Sequence, residues 1–195
     1  MSTIVFLSTY QEGGLFNPVH LETYLDHYRG SHKRLEVSSR SDSPLGRHCS
    51  AMNLDIVDGQ SNYKLECVYQ GSKVFEYGGP YVALYNENPF DVKRDRRIYS
   101  SGKLTAFYYK RNYWDKNELD YFYDWLYIGA IYSQNTIMSQ LCDYGAFTDQ
   151  FFNSKRSMST QAKSCAVLVS LIMLGRLDEA MSSKKDFIRV IKDYK

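Results

Sequence analysis

The sequence predicts an α+β fold, predominantly helical, built as one main domain with a small β-containing extension at its N-terminus. Three observations predict it. A chain of 195 residues falls within the roughly 100–200 residues usual for one domain and can bury a core without staples. Several long segments carry helical patterning with recognisable start and stop residues. A few β-rich runs are scattered between them, without regular alternation of strand and helix.

The elements follow in order along the chain. Thr3–Thr9 is a β-rich run. Phe16–Tyr28 has helical character and opens on Asn17-Pro18, a cap followed by proline at the first helical position. Leu35–Ser39 suits a second strand. The polar loop Ser38–Pro44 comes next, so residues 1–40 are read as the extension and 41–195 as the main domain. Leu65–Phe75 reads as a helix stopped by Tyr77-Gly78-Gly79-Pro80, glycine after the last turn and proline just beyond. Asn86–Ile98 carries Lys93, Arg94, Asp95, Arg96 and Arg97, a solvated face or loop. Lys103–Lys110 alternates as a strand. Glu118–Tyr132 is a strongly aromatic helix, interrupted at Ser133-Gln134-Asn135 and resumed over Thr136–Asp143. Gln161–Leu174 is apolar nearly all round, as a central core helix would be. Ser159 or Thr160 caps its start and Gly175 its end. The last helix begins at Ser183, whose partner Asp186 makes a capping-box-like pair, and its apolar face is Phe187, Ile188 and Ile191.

Composition narrows the function. Net charge is +2, from 24 basic and 22 acidic side chains, too balanced for a strong non-specific nucleic-acid field. Cys49, Cys67, Cys142 and Cys165 form no C-x-x-C pair, and the four histidines all lie in the first quarter. No metal-ligand spacing results, so free thiols in a reducing compartment are expected. Neither G-x-G-x-x-G nor a Walker loop occurs, and no cofactor is expected. The start lacks the basic and apolar regions of a secretory signal. The longest apolar run, Cys165–Leu174, is far short of the ~20 residues that span a bilayer. These readings make cytoplasmic location and no membrane partner the expectation.

One segment carries chemistry. On a continuous helix over Leu65–Phe75, Glu66, Gln70 and Lys73 stand at offsets of zero, four and seven and share a stripe. Tyr69 and Tyr77 flank it, while Cys67, Val68, Gly71, Val74 and Phe75 face inward. A Glu–Lys pair on a helix surface is most often solvated and is worth only a few tenths of a kcal/mol. Here the stripe also holds an amide and a tyrosine, and Gly78-Gly79 lets backbone approach a ligand. Carboxylate, amide and amine on one stripe therefore suit the wall of a polar pocket.

Glu66, Tyr69-Gln70 and Lys73-Val74-Phe75 match, position by position, the core motif of the NADAR superfamily, and the run Ser43–Phe75 resembles that family more broadly. Ser50 and Asn53 resemble its Ser/Asn turn before the motif. Phe122–Tyr127, Asp143–Asp149 and Phe152–Ser157 resemble one branch, encoded beside DarT-type toxins that ADP-ribosylate guanine in DNA. The resemblance covers roughly Leu35 to Leu174. The Gly-Lys-Asn-Leu-Leu-Gly and Asp-x-x-Trp-Gly elements of other members are absent; Ser159–Ser164 stands near the first, and Asp149 stands in for the acid of the second.

The resemblance implies an N-glycosidase, a hydrolase that removes ADP-ribose from guanine in nucleic acid and so antagonises a partner toxin, an ADP-ribosyltransferase. Lys73 would attack the sugar and form a Schiff base, provided that burial or a nearby cation lowers its pKa. Glu66 would handle protons. Ser50, Asn53, Tyr69, Gln70, Gly78, Gly79, Trp125 and Asp149 would bind substrate, with Tyr81 a further stacking ring. Arg47 and Lys155 are candidates for the diphosphate, and Asp124 for the sugar or a water. Two alternatives stay open: a non-catalytic binder of ADP-ribose or an NAD derivative, and an N-glycosidase of small phosphorylated ribosides.

Overall fold

The computed structural model describes residues 5–8, 33–149 and 161–193. Over these residues the fold is α+β, with helix predominating. The expected helix over Phe16–Tyr28 and the caps Ser159 and Thr160 lie outside them, as do Lys155 and the Phe152–Ser157 motif.

Strands β1 (Val5–Ser8), β2 (Arg34–Glu36) and β8 (Ala146–Asp149) form one parallel sheet with β8 at the centre. Phe147 pairs in register with Phe6 on one side and Leu35 on the other. The chain then enters α1 (Pro44–His48), capped by Ser43 Oγ accepting from the Gly46 amide, with proline at the first position. A hairpin follows, β3 (Asp55–Asp58) and β4 (Ser61–Lys64), turned at Gly59 with φ +60°. It runs straight into α2 (Leu65–Gly71) and β5 (Lys73–Phe75). Two 3₁₀ turns, Val82–Asn86 and Val92–Arg94, and the short α3 (Arg96–Ser100) cross to β6 (Leu104–Tyr109) and β7 (Asn112–Trp114). These two complete an antiparallel sheet in the order β5-β6-β7.

The core is organised around α4 (Leu119–Tyr132) and α6 (Gln161–Met173), with α5 (Asn135–Leu141) between them in sequence. Phe122 of α4 stacks on Phe107 of β6 at 4.4 Å, and Trp114 closes on Phe122 at 5.6 Å. All three rings are fully buried, and each ring pair adds about 0.5–1.5 kcal/mol beyond the area it buries. Tyr127 buries its hydroxyl by donating to the Cys49 carbonyl at 2.5 Å. As the all-round apolar pattern predicts, α6 buries Ala162, Cys165, Ala166, Leu168, Val169 and Leu171. Buried Asp124 ties it to α4, accepting from Ser164 Oγ at 2.7 Å and Lys163 Nζ at 2.8 Å. The chain closes with α7 (Leu177–Met181) and α8 (Lys184–Lys192). The Ser183 cap is present, its Oγ accepting from the Asp186 amide, and Phe187 and Val190 are buried beneath.

Candidate functional site

The single helix expected over Leu65–Phe75 is corrected by the structure: α2 ends at Gly71, and Lys73 opens a strand. Both ends of the helix are set by backbone. Its first donors go to the preceding turn, Leu65 N to Leu54 O at 2.9 Å and Glu66 N to Ala51 O at 3.0 Å. At the other end the Gly71 carbonyl accepts from Tyr81 N at 2.7 Å and the Ser72 carbonyl from Tyr108 N at 2.8 Å. Those carbonyls are lost to further helix. Lys73 and Val74 then pair with Phe107 and Ala106. A Cβ at Gly71 would lie 2.7 Å from the Tyr85 ring and 2.8 Å from the Tyr81 carbonyl, so only glycine allows that crossing.

The break keeps the three groups together. Gln70 Nε2 donates to Glu66 Oε1 at 2.7 Å, and Lys73 Nζ donates to Gln70 Oε1 at 2.6 Å. An ammonium offers donors only. The amide therefore turns its oxygen to Lys73, which leaves its NH2 for the carboxylate. Glu66 is 4% exposed and Gln70 7%. Tyr69 lies under the amine, its ring centroid 5.1 Å from Lys73 Nζ. That ring is itself fixed by Phe107 at 5.1 Å and by an edge contact with Tyr123 at 5.0 Å.

Two residues that the sequence did not single out complete the surroundings. Lys93, on the Val92–Arg94 turn, brings Nζ to 3.5 Å from Glu66 Oε1. In the sequence it was one cation in a mixed-charge run, 27 positions from Glu66, and nothing marked it. Tyr123 on α4 is buried, its ring in edge contact with Tyr69 at 5.0 Å. Burial first, then the negative charge of Glu66, raises its pKa well above 10.0, with Asp149 and Asp124 adding to the effect. It therefore stays a hydrogen-bond donor.

Burial pulls the Lys73 ammonium down from 10.5 to about 8; Glu66 opposes this and Lys93 assists it. A useful fraction of neutral amine at neutral pH follows. The cysteines are not comparable nucleophiles: burial pushes Cys49 up to about 12, and burial with Glu66 and Glu87 pushes Cys67 up to about 11. Among the described residues no group of three or more His, Cys, Asp or Glu could hold a metal ion.

The remaining candidates divide. Ser50 Oγ and Asn53 Nδ2 both donate to the Arg47 carbonyl at 2.8 Å, closing the turn after α1. That turn presents Ala51 O to the Glu66 amide, so it positions the acid through backbone. Asp149 joins the same support: Gln161 donates to Asp149 Oδ2 at 3.2 Å and accepts from Ala51 N at 2.5 Å. Gly78 bridges back to Phe75, and Gly79 (φ +88°) packs on the Lys73 carbonyl. Both glycines therefore shape the strand that carries the amine. The Trp125 ring instead packs on Trp114 at 5.3 Å and Tyr109 at 6.3 Å. The Arg47 guanidinium is held by the Ser41 and Asp42 carbonyls, and Tyr81 lies between Phe75 and Arg97.

No helix among the described residues is long and apolar enough to cross a membrane. No curated protein matches the chain. A family model described as DarT1-associated NADAR antitoxin matches residues 17–195, a span that includes every residue of the Glu66–Gln70–Lys73 chain. With nearly the whole length matched and the motif residues in contact, the chain belongs to the DarT1-associated NADAR antitoxin family.

Proposed function

We propose that this protein is an N-glycosidase that removes ADP-ribose from ADP-ribosylated guanine in nucleic acid and so reverses the action of an ADP-ribosyltransferase toxin. The observation that carries the reading is the hydrogen-bonded order carboxylate, amide, amine at Glu66, Gln70 and Lys73, with the amine near pKa 8. A surface Glu–Lys pair would leave the amine charged. Burial beside Lys93 supports a nucleophilic amine instead.

In this reading neutral Lys73 Nζ attacks ribose C1. The bond from C1 to the guanine amine breaks, its electron pair leaves with the base, and Glu66 passes to the base the proton it took up when the Lys73 ammonium became neutral. Nζ then loses a proton as the ribose ring opens, its ring oxygen taking one up, and a Schiff base remains between C1 and Lys73. Water, deprotonated by Glu66, adds to C1, and collapse of the adduct returns ADP-ribose and free lysine. Gln70 relays between the two groups and fixes their spacing, Tyr69 bounds the site beneath the amine, and Tyr123 donates to a substrate oxygen.

The test is release of ADP-ribose from an ADP-ribosylated guanine oligonucleotide, with cyanoborohydride present in a parallel sample. A covalent adduct on the Lys73 peptide is expected, and Lys73→Ala should abolish both adduct and release. Full activity of Lys73→Ala would remove the covalent route; an inert wild-type protein that shows a thermal shift with intact ADP-ribose would make it a binder.

A further inference from the structure

Beside the site lies a surface that the chemistry above does not use. Tyr77 is 81% exposed, Tyr99 71% and Phe90 58%, an unusual gathering of bare rings within a short stretch of chain. Tyr77 and Tyr99 belong to one corner, and Phe90 lies two residues before the Val92–Arg94 turn. Tyr99 Oη donates to the Lys93 carbonyl at 2.5 Å, Tyr77 N donates to Ser101 O at 3.0 Å, and a Cβ at Gly102 would meet the Tyr77 ring at 2.8 Å. Lys93 in turn reaches Glu66, so the corner is continuous with the site.

The same stretch is locally basic although the chain is nearly neutral. Residues 86–103 carry five basic and three acidic side chains. Asp95 holds Arg97 through two bonds of 2.8 Å, and Lys93 is committed to Glu66. Arg94 and Arg96 are exposed and have no ion-pair partner among the described residues. Exposed rings beside free guanidinium groups suit one chemistry: unstacked bases lie on the rings while phosphates meet the cations.

We propose that this corner, Tyr77, Phe90 and Tyr99 with Arg94 and Arg96, docks single-stranded nucleic acid and leads the modified base to Glu66 and Lys73. The proposal rests on the glycosidase reading for what enters the site, but not for the docking itself. A base in a duplex could not reach a buried carboxylate without leaving its stack, so an unpaired strand is the form that fits.

The test measures binding of an unmodified, fluorescently labelled single-stranded oligonucleotide across salt concentrations. Arg94→Ala/Arg96→Ala should weaken binding about tenfold and lower the slope of log affinity against log salt by about 1.4, at roughly 0.7 per phosphate contact. Tyr77→Ala and Tyr99→Ala should each weaken binding about fivefold or more. Duplex of the same sequence should bind more weakly. Absence of wild-type binding, variants with unmoved affinity and slope, or equal affinity for duplex would each overturn the proposal. In the last two cases the exposed rings would serve another partner, such as a protein. Strand binding without ADP-ribose release would instead count against the glycosidase reading alone.

Discussion

A lysine at its ordinary 10.5 is neutral in about one molecule in a thousand at pH 7.5, whereas one at about 8 is neutral in about a quarter, a roughly 200-fold gain in nucleophile. Adduct trapped by cyanoborohydride, read by mass on the Lys73 peptide, should therefore rise about tenfold per pH unit below pH 7 and level off near pH 8. Two variants identify the owner of that limb. Glu66 holds the amine in its charged form, so Glu66→Gln should move the limb to lower pH even as losing the proton donor slows release. Lys93 disfavours the charged form, so Lys93→Ala should move it to higher pH. A wild-type yield still climbing between pH 9 and 10.5, or a limb that neither variant moves, would refute the assignment of Lys73 as a buried, charge-tuned nucleophile.

Four further outcomes follow from the geometry. The folded pKa of Lys73 lies below its unfolded value, so the unfolded chain binds more protons between pH 8 and 10.5. The penalty is whole below pH 8 and gone above 10.5. Lys73→Met should then raise the melting temperature at pH 7 by a few degrees, about 1 kcal/mol after allowing for partial exposure and the lost Gln70 bond, with the advantage fading toward pH 10. Gly79→Ala places a Cβ 2.2 Å from the Lys73 carbonyl at φ +88°, and about 2–4 kcal/mol should be lost in urea denaturation. Gly59→Ala, at φ +60° but with nothing within 4 Å, should lose only about 1 kcal/mol. Trp125→Phe should lower stability through its contacts with Trp114 and Tyr109 and leave KM for the modified oligonucleotide unmoved; a raised KM would return Trp125 to the substrate.

What the sequence could show was set by range. Local devices were readable: the Ser183 cap, the glycine after α6, and the aromatic helix over 118–132, found at Leu119–Tyr132. Glu66, Gln70 and Lys73 were legible as a set because their spacing survives a change in backbone. The change itself was not legible. Gly71-Ser72 in a helical pattern reads as a tolerated weak point, and only the Tyr81 and Tyr108 amides, 10 and 36 positions away, turn it into a break. The β3–β4 hairpin, β5 and β8 are three or four residues each, too short for alternation to declare. Lys93 was hidden for the same reason as the break, since its meaning lies in a contact across space.

The break also explains why an amide stands between acid and amine. On a continuous helix, positions 66 and 73 would be about 10.5 Å apart along the axis. Returning the chain as a strand instead anchors Lys73 to Phe107 while Glu66 stays anchored to Ala51. Acid and amine are thus fixed by different elements, and Gln70 spans the gap at 2.7 and 2.6 Å. A carboxylate in direct contact with Nζ would favour the ammonium and deplete the neutral amine. Gln70→Glu tests that reasoning, because it is nearly isosteric and places a charge where the amide oxygen was. Trapped adduct at pH 7.5 should fall roughly tenfold for each unit the Lys73 pKa rises and should recover at alkaline pH. Gln70→Met, which breaks the relay without adding charge, should lower the yield without shifting its pH dependence upward. If Gln70→Glu lowers the yield equally at every pH, the spacer serves geometry alone and the electrostatic argument for it fails.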